Sequence, residues 1–314
     1  MKHLNRLFAF IFLFCVVLVQ FTFSADADVK IRLKFIRVIG APGDQPGQLR
    51  SPEGISTDPK GNIYVADTGN NRIQKFDTNG KLLNFIGGFG WDSEQFQRPV
   101  DICAENGLDV FVADYENRRI ERYDKDLNWI FSLYSNPRVE DRLRFGFPNS
   151  VSLSIHGDLF IVDSDNQRVL KFNSMREPVQ SFGDFDWGEG ALTEPQKIHV
   201  SRDDQVYVSD RGDRGRVMVY DYYGNFLNEI GSDKLKAPDG LYVSSSGYIF
   251  VADTDQDQVF VFEANGRFVQ AFGASGKKFG AFNSPSDVAV HANKLYVADR
   301  DNHRIQVFEI EFVR

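Results

Sequence analysis

The sequence predicts an all-β chain folded as a six-bladed β-propeller, on three observations. A short apolar run that ends in Asp recurs six times, at intervals of 43 to 49 residues. A proline recurs six times with the same spacing and precedes each of these runs. Each interval holds four short strand-forming segments and no long amphipathic helix, and a period near 45 residues with four strands is typical of a propeller blade.

The two markers keep the same period independently of each other. The six prolines are Pro52, Pro99, Pro148, Pro195, Pro238 and Pro285. The six aspartates that end the apolar runs are Asp67, Asp114, Asp163, Asp210, Asp253 and Asp299. One repeat therefore belongs to each proline, and each repeat is predicted to form one blade.

The first repeat shows the four strands, which we name a to d in chain order. Strand a follows the proline, and strand b is the run that ends at Asp67. Pro59 and Gly61 lie between them and suit the backbone angles of a tight turn. Strand c is Arg72–Phe76, and the Asn79-Gly80 pair after it supplies the positive φ angles that a hairpin to strand d requires.

The two ends of the chain predict how the ring closes. Residues 34–40 match strand d but have no repeat before them. The last repeat ends at Arg314 after its strand c, without a strand d. We therefore expect the N-terminal strand to pair with Arg304–Phe308 and complete the sixth blade, which hides two sheet edges at once.

The repeated aspartates are interpreted as structural rather than catalytic. Asp67 is followed three residues later by Asn70 and five residues later by Arg72, and most repeats keep this pattern. A carboxylate at the end of strand b can accept N–H bonds from the turn and pair with an arginine at the start of strand c. Six-fold repetition is what a structural staple predicts, whereas an active site would break the symmetry.

The best copy of this pattern resembles the NHL repeat. It has a Pro-x-Gly-Ile at strand a, then Ile63-Tyr64-Val65-Ala66-Asp67, then Asn70-Asn71-Arg72-Ile73. The resemblance extends over residues 34–314 in six tandem copies. It implies the six-bladed fold but not a particular activity, because a propeller is a platform on which unrelated sites are built.

Several functions known on similar propellers are disfavoured by the residues. Peptidyl-hydroxyglycine amidating lyases hold zinc with histidines just after the repeat proline, but His199 and His291 lie further along, in different registers. No three-histidine zinc site is therefore evident. NHL proteins that act in ubiquitin transfer need a zinc-binding finger domain, for which this chain lacks the cysteines. Those that bind RNA use a basic face, which the formal net charge of −8 opposes.

The two cysteines predict neither a disulfide nor a metal site. Cys15 lies in the apolar run near the N-terminus. Cys103 occupies a strand-a slot that Thr57, Leu153 or Val200 fills in other repeats. A single cysteine in the folded part cannot form an intrachain disulfide, and we expect Cys103 to be a small buried apolar residue.

The first 27 residues are predicted to be a signal peptide. Lys2 and Arg6 precede an apolar run, Leu7–Val19, which is followed by small residues that fit a cleavage site at Ala25-Asp26-Ala27, with Thr22-Phe23-Ser24 as a weaker alternative. The alternative is an uncleaved single-span anchor, because the apolar stretch to Phe23 is long for a signal. Residues 28–314 form the propeller in either case, and we expect it outside the cytoplasm: secreted or periplasmic, and membrane-anchored only if the segment is uncleaved.

Binding is expected where the repeats differ. The d-to-a loops and b-to-c turns should lie on one face, around the mouth of the central channel. Trp91 and Trp187 lie in two of these loops and are candidates for ligand contact, with loop anchoring as the alternative. The slots just after each proline are non-repetitive and mostly polar. They provide six further candidate ligand-binding residues: Glu53, Asp101, Asn149, Gln196, Asp239 and Asp287.

A metal ion on the channel axis is a further possibility. Asp101 and Asp287 have the carboxylate oxygens that a structural Ca²⁺ prefers. The alternative is a solvated polar lining, because two carboxylates do not by themselves make a calcium site.

These observations favour a binding scaffold over an enzyme. The predicted ligand of the loop face is a protein, a peptide or a glycan, and no other cofactor and no nucleic acid are expected. A metal-dependent lyase or hydrolase of the propeller type is the alternative function.

Overall fold

The computed structural model describes residues 30–313, apart from the side chain of Trp187. These residues form six sheets, each of four antiparallel strands, so the predicted six-bladed propeller is confirmed. The predicted signal or anchor segment, residues 1–27, lies outside the described residues. Between Lys30 and Val313, no helix is long and apolar enough to cross a membrane.

The strands follow the a-to-d order predicted from the repeat. Blades 1 to 3 contain β2 Gly54–Thr57, β3 Ile63–Asp67, β4 Arg72–Phe76, β5 Leu82–Gly87, β6 Pro99–Cys103, β7 Asp109–Asp114, β8 Arg119–Asp124, β9 Trp129–Tyr134, β10 Pro148–Leu153, β11 Leu159–Asp163, β12 Arg168–Phe172 and β13 Pro178–Phe182. Blades 4 to 6 contain β14 Pro195–Val200, β15 Val206–Asp210, β16 Arg216–Tyr220, β17 Phe226–Ile230, β18 Pro238–Val243, β19 Tyr248–Asp253, β20 Gln258–Glu263, β21 Phe268–Phe272, β22 Pro285–His291, β23 Lys294–Asp299 and β24 Arg304–Val313, with β1 Lys30–Ile39 as the fourth strand of blade 6.

Short 3-10 helices interrupt some of the connections. Thr68–Asn70 and Arg300–Asn302 form the b-to-c turns of blades 1 and 6. Asp141–Leu143 and Phe185–Gly190 lie in the d-to-a loops that lead into blades 3 and 4. None of them is long enough to pack as a helix, and the fold is held by its sheets.

The inner strands are buried on both sides, which explains their almost continuous apolar sequences. Every residue of β3 and of β11 is buried. A blade stands between two neighbours, so both faces of its inner strands contact apolar side chains. The outer d strands are more exposed: β5 contains four exposed residues. Each blade therefore has its exposed strand at the circumference of the propeller and its buried, apolar strands closer to the channel axis.

The core is divided among the interfaces between neighbouring blades. Each of six clusters of buried side chains joins two adjacent blades. The cluster between blades 6 and 1 contains Tyr296 and Ile305 from one blade and Ile55 and Val65 from the other. This interface is as complete as the others, so the ring is closed.

The N-terminal strand closes the ring as predicted. β1 is antiparallel to β24, with Phe35 opposite Phe308 and Ile39 opposite Ile305. A register shift between Phe35 and Arg37 marks a bulge in β1. The pairing continues beyond the predicted strand c, because Lys30 is opposite Val313. The sixth blade is thus built from both ends of the described chain.

Candidate functional site

The propeller has two faces with different chemistry. We call the face formed by the b-to-c turns and the d-to-a loops the loop face. We call the opposite face, formed by the a-to-b and c-to-d turns, the turn face. The sequence placed all candidate residues on or near the loop face.

Each repeated aspartate holds the turn and loop around it, as predicted. Asp67 is fully buried. Its Oδ1 accepts a hydrogen bond from Arg50 N at 2.7 Å, and its Oδ2 accepts one from Arg72 Nε at 2.6 Å. Asn70 Nδ2 also donates to Oδ2, at 2.9 Å. The aspartate is therefore fully used in structure, which agrees with a non-catalytic role.

The arginine of the pair extends the staple to the d-to-a loop. Arg72 donates from its two terminal nitrogens to the carbonyl oxygens of Asp44, Gln45 and Gln48, at 2.6 to 2.9 Å. Arg119 repeats this in blade 2 with the carbonyls of Trp91, Asp92 and Gln95. Arg304 repeats it in blade 6 with Lys277, Lys278 and Ala281. A planar guanidinium with five donors fits this role, and the loop backbone is fixed.

Burial strongly affects these carboxylates. Burial raises the pKa of Asp114, while hydrogen bonds from Asn117 and Gln97 N and the charge of Arg119 oppose the shift. Burial raises the pKa of Asp163 in the same way, and Gly146 N and Asn166 oppose it. The hydrogen bonds to the aspartates therefore offset the free-energy cost of burying them.

Fixed loops on the loop face present large aromatic side chains to solvent. Phe89 and Trp91 in the loop before blade 2 are 70% and 63% exposed. Phe185, in the loop before blade 4, is 88% exposed. Phe279, in the loop before blade 6, is 66% exposed, and its ring stacks on that of Phe35 with 4.7 Å between centroids. The aromatic loops alternate around the ring with loops that lack such residues.

The two predicted tryptophans differ in what the structure describes. The Trp91 ring is mostly exposed. The backbone carbonyl oxygen of Trp91 accepts a hydrogen bond from Arg119 Nη1 at 2.8 Å. The backbone thus anchors the loop and leaves the ring available for contact. Trp187 belongs to the short helix Phe185–Gly190, and its side chain lies outside the described part of the chain.

The predicted slots after the prolines are engaged with neighbouring blades at the channel mouth. Asn149 Nδ2 donates to the carbonyl of Gln196 at 2.9 Å, and Gln196 Nε2 donates to the Glu194 carbonyl at 3.0 Å. Arg211 NH2 donates to Asp239 Oδ2 at 2.9 Å. Glu53 lies 3.9 Å from Arg98 NH2, and burial raises its pKa although the Arg98 charge opposes this. These four side chains form a polar collar around the mouth.

The other two predicted residues lie deeper, in an ion cluster that sequence reasoning missed. Lys197 Nζ is 2.7 Å from Asp101 Oδ1 and 3.8 Å from Asp287 Oδ2. All three side chains are at most 7% exposed. They come from blades 2, 4 and 6 and meet on the axis. Lys197 is the only basic residue in its slot among the six repeats, and this was the available signal.

The cluster is completed by backbone and hydroxyl donors. Asp101 Oδ2 accepts from Ser150 Oγ at 2.5 Å and from Val151 N at 2.9 Å. Asp287 Oδ2 accepts from Ile55 N at 2.9 Å. Burial raises the pKa of Asp287 to about 8, with Lys197 opposing the shift and Asp101 adding to it. Two carboxylates therefore share one ammonium in a buried site.

The position of Lys197 affects the predicted calcium site. The ammonium of Lys197 already lies between the two carboxylates that were expected to bind the cation. In residues 30–313, no three His, Cys, Asp or Glu side chains are grouped as a metal site requires. A calcium ion at Asp101 and Asp287 stays a prediction, and its binding would require displacement of the lysine.

A cavity on the turn face was also missed by sequence reasoning. It has a volume of about 700 Å³ and is lined by the a-to-b turns of blades 1, 2, 4, 5 and 6. Glu105, His199 and Tyr242 lie where it narrows toward the ion cluster. The single cysteine of the described chain, Cys103, is buried below this point, as predicted. Turn residues gave no repeated signal, so the sequence did not bring these groups together.

Comparison with known proteins agrees with the repeat and the fold. The NHL repeat model matches residues 49–76 and 282–308, which belong to blades 1 and 6. Protein brain tumor from Drosophila melanogaster is 26% identical over 133 residues, which are 42% of this chain and 13% of that protein. The chain thus spans only a small part of this curated relative.

Solved structures show the same architecture at low sequence identity. A gluconolactonase from Xanthomonas campestris aligns with a TM-score of 0.64 and 13% identity, over 89% of this chain and 98% of its own. Virginiamycin B lyase from Staphylococcus aureus aligns with a TM-score of 0.61 and 11% identity, over 89% and 99%. At such identity the likeness concerns the fold alone. The repeat matches and the six four-stranded sheets show that this chain is a six-bladed β-propeller with NHL repeats in its first and sixth blades.

Proposed function

We propose that this protein is an exported binding scaffold that holds a protein partner on its loop face. The observation that carries the proposal is the set of exposed aromatic rings on fixed loops, Phe89, Trp91, Phe185 and Phe279. Exposed aromatic residues around one opening fit an interface, because aromatic side chains dominate the energetics of protein interfaces.

The loops that carry these rings are already ordered. Arg119 fixes the loop of Phe89 and Trp91 through three carbonyl oxygens, and Arg304 does the same for the loop of Phe279. A partner that binds them does not need to order the backbone. Binding to a pre-organised surface loses less conformational entropy, so more of the contact free energy appears as affinity.

The distribution of the aromatic residues favours a protein over a small ligand. Phe89 and Trp91, Phe185, and Phe279 belong to loops before blades 2, 4 and 6, so they surround the channel mouth instead of converging on one pocket. A broad surface with separated aromatic anchors and a polar collar between them resembles a protein interface.

The proposed location outside the cytoplasm depends on the N-terminal sequence. The basic start, apolar run and small residues of the first 27 positions have the order of a secretory signal. N-terminal sequencing of the protein recovered from the extracytoplasmic fraction tests this. A first residue near position 28 would support cleavage, an intact start would support the anchored form, and recovery in the cytoplasm would contradict export.

The binding proposal is tested with a variant of two anchors and a matched control. Trp91→Ser with Phe185→Ser removes two exposed rings, and Leu108→Ser removes an equally exposed apolar side chain, 69% exposed, from the turn face. A photo-crosslinker is attached in place of Phe89 to trap and identify the partner, and its affinity is then measured with purified proteins.

The proposal expects the double variant to bind at least about 30-fold more weakly, the effect of losing one strong aromatic anchor. The Leu108→Ser protein should bind like the native one. Equal affinity of the double variant and native protein, or a loss confined to Leu108→Ser, would contradict the loop face as the binding surface. A trapped glycan or short peptide in place of a protein would overturn the partner class.

A further inference from the structure

The cavity on the turn face is separate from the loop face and has its own chemistry. It opens between the a-to-b turns and narrows along the channel axis toward Lys197, Asp101 and Asp287. The ion cluster closes it from the loop face, because its three side chains are almost fully buried. A ligand can therefore reach the narrow part from the turn face only.

One polar side chain in the narrow part is buried without a full set of partners. His199 is only 7% exposed, and its Nδ1 faces Glu105 Oε1 at 3.5 Å. Its ring packs against that of Tyr242, with 4.6 Å between centroids. Among the described residues, no side chain or backbone group hydrogen-bonds its Nε2, which belongs to the cavity lining. This nitrogen is not fully enclosed, so water or a ligand that enters the cavity can reach it.

The electrostatic character of the narrow part is acidic. Glu105 is 36% exposed, and the rest of the cavity lining adds Asp58 and Asp203 against a single arginine, Arg202. At the Tyr242 hydroxyl, Glu105 raises the pKa more than Arg202 at the rim lowers it, in addition to the effect of burial. A narrow cleft with walls of low dielectric focuses such a field and raises the local concentration of cations.

We propose that this cavity binds a cationic group, an ammonium or a guanidinium, between the Glu105 carboxylate and the Tyr242 ring. The carboxylate provides a charge-assisted hydrogen bond, and the ring provides a face for cation–π contact. His199 Nε2 is available to accept a further N–H of the same group when its imidazole is neutral. The serines of the turn Ser244-Ser245-Ser246 line the wider part and suit the polar remainder of an amino-acid-like ligand.

The test uses two probes of the same shape and different charge. Nα-acetyl-arginine amide carries a guanidinium, and Nα-acetyl-citrulline amide carries a neutral ureido group in its place. Calorimetric titration of the purified protein should show saturable binding of the arginine probe at a single site. The citrulline probe should bind at least about tenfold more weakly, because it lacks the charge-assisted part of the hydrogen bond.

Two variants locate the site, and one variant serves as control. Glu105→Gln removes the carboxylate charge, and Ser245→Lys adds a positive charge at an exposed position of the lining. Each should weaken binding of the arginine probe about tenfold or more. Asp233→Asn is the control. It also removes one negative charge, from a side chain that is 76% exposed on the loop face, and it should leave binding of the arginine probe unchanged.

Three results would overturn the proposal. No binding of the arginine probe at millimolar concentration, or equal binding of the two probes, would contradict a cation site. Native affinity in both Glu105→Gln and Ser245→Lys would place the probe elsewhere on the molecule. Because these variants lie on the turn face, a negative result here leaves the binding of a protein at the loop face intact.

Discussion

Lys197 is a buried cation that lies between blades 2, 4 and 6. Its ammonium is buried on the channel axis and pairs with carboxylates from two other blades. A buried charge that loses its partner is strongly destabilising, so each member of this cluster depends on the others. Burial raises the pKa of Asp287 to about 8, and the nearby charge of Asp101 adds to the shift.

The first prediction concerns the pH dependence that Asp287 introduces. In the native state its pKa is about 8, whereas in the unfolded chain it is near 3.8. Between about pH 4 and pH 8 the native state therefore binds more protons than the unfolded state, and its stability falls as the pH rises through this window. The Asp287→Asn protein lacks this contribution. Its free energy of unfolding, relative to native, should increase with pH by up to about 1.4 kcal/mol per unit.

Urea unfolding of both proteins at pH 5, 6.5 and 8 measures this difference. Taking the difference between the two proteins removes the contributions of the other titrating groups. A difference that stays constant with pH would show that Asp287 is ionised throughout, paired with Lys197.

At the scale of single elements, the d-to-a loops depend on the arginine that begins strand c. Arg119 has an exposed fraction of 1% and joins the Asp114 carboxylate, the Glu121 carboxylate and three loop carbonyls. A lysine retains the charge but offers one nitrogen, so it cannot reach the carboxylates and the loop together. The loop conformation therefore depends on the arginine as well as on contacts within the loop.

The second prediction is that Arg119→Lys loosens the loop of Phe89 and Trp91. The amides of Gly90 and Phe96, whose hydrogen bonds lie within this loop, should exchange with solvent at least about tenfold faster, since two or more charge-assisted bonds are lost. Arg122→Lys is the control, because Arg122 pairs with Asp109 on the outer part of the same blade. Hydrogen exchange followed by NMR gives both rates. Unchanged protection in Arg119→Lys would contradict the staple.

The b-to-c turn of blade 6 contacts the loop before blade 1 through a histidine. Ser51 N donates to His303 Nδ1 at 3.0 Å, and His303 has a left-handed φ of 56° at the end of its turn. Asn71 has the same place in blade 1, where its Oδ1 accepts from Arg98 N at 2.8 Å. A protonated imidazole donates at both nitrogens and cannot accept this bond. The contact between the blades therefore requires a neutral ring.

The third prediction compares His303→Asn with His303→Ala. The asparagine restores an acceptor that does not titrate and tolerates the positive φ, so it should keep native stability at pH 7.5. The alanine should lose about 1 to 2 kcal/mol, since it leaves the Ser51 N–H without its partner. Thermal unfolding at pH 7.5 separates them. Equal stability of His303→Ala and His303→Asn would contradict the contact.

At the scale of the whole molecule, stability depends on closing the ring without a disulfide. The closure uses the long β1–β24 pairing and the stack of Phe35 on Phe279. Phe35 also contacts the edge of the Phe308 ring, at 5.9 Å between centroids. The N-terminal strand therefore connects strand c of blade 6 with the loop that leads into that blade. Opening this contact would leave one edge of the ten-residue strand β24 without a partner.

The fourth prediction is that Phe35→Ala weakens the closure more than a similar truncation elsewhere. The ring is partly buried between two others, so its loss should reduce the free energy of unfolding by about 2 kcal/mol, roughly half the cost for a fully buried phenylalanine. Leu83→Ala, in the outer strand of blade 1, is the control, because Leu83 is 49% exposed. Equal losses in the two variants, measured by urea unfolding, would show that closure does not depend on this stack.

Much of the fold was predictable because the repeat reports it six times. The prolines, the aspartates and the arginines have fixed positions relative to the strands, and each copy confirms the others. The lone strand at the start and the missing strand at the end predicted the closure, since a sheet edge needs a partner. The staple at Asp67 and Arg72 was also predicted, because both partners are close in sequence.

The candidate site was less predictable because its parts come from different blades. Asp101 and Asp287 were selected as polar lining residues, but their partner Lys197 was not, and the buried cluster depends on three blades meeting on the axis. Glu105 lies in a turn of blade 2, and His199 and Tyr242 lie near the ends of β14 and β18, where no repeated pattern marks them. The sequence also left open whether Trp91 is exposed, because this depends on the contacts by which Arg119 holds the loop backbone.

The sequence by itself determined the number of blades, the order of their strands and the pairing of the two ends, since these follow from local patterns repeated along the chain. Only the tertiary structure decided which polar residues are buried together and which cavity remains open. The physical reason is that charge pairing and cavity shape depend on distances between residues far apart in sequence, such as Lys197 and Asp287. Those distances are set when the ring closes.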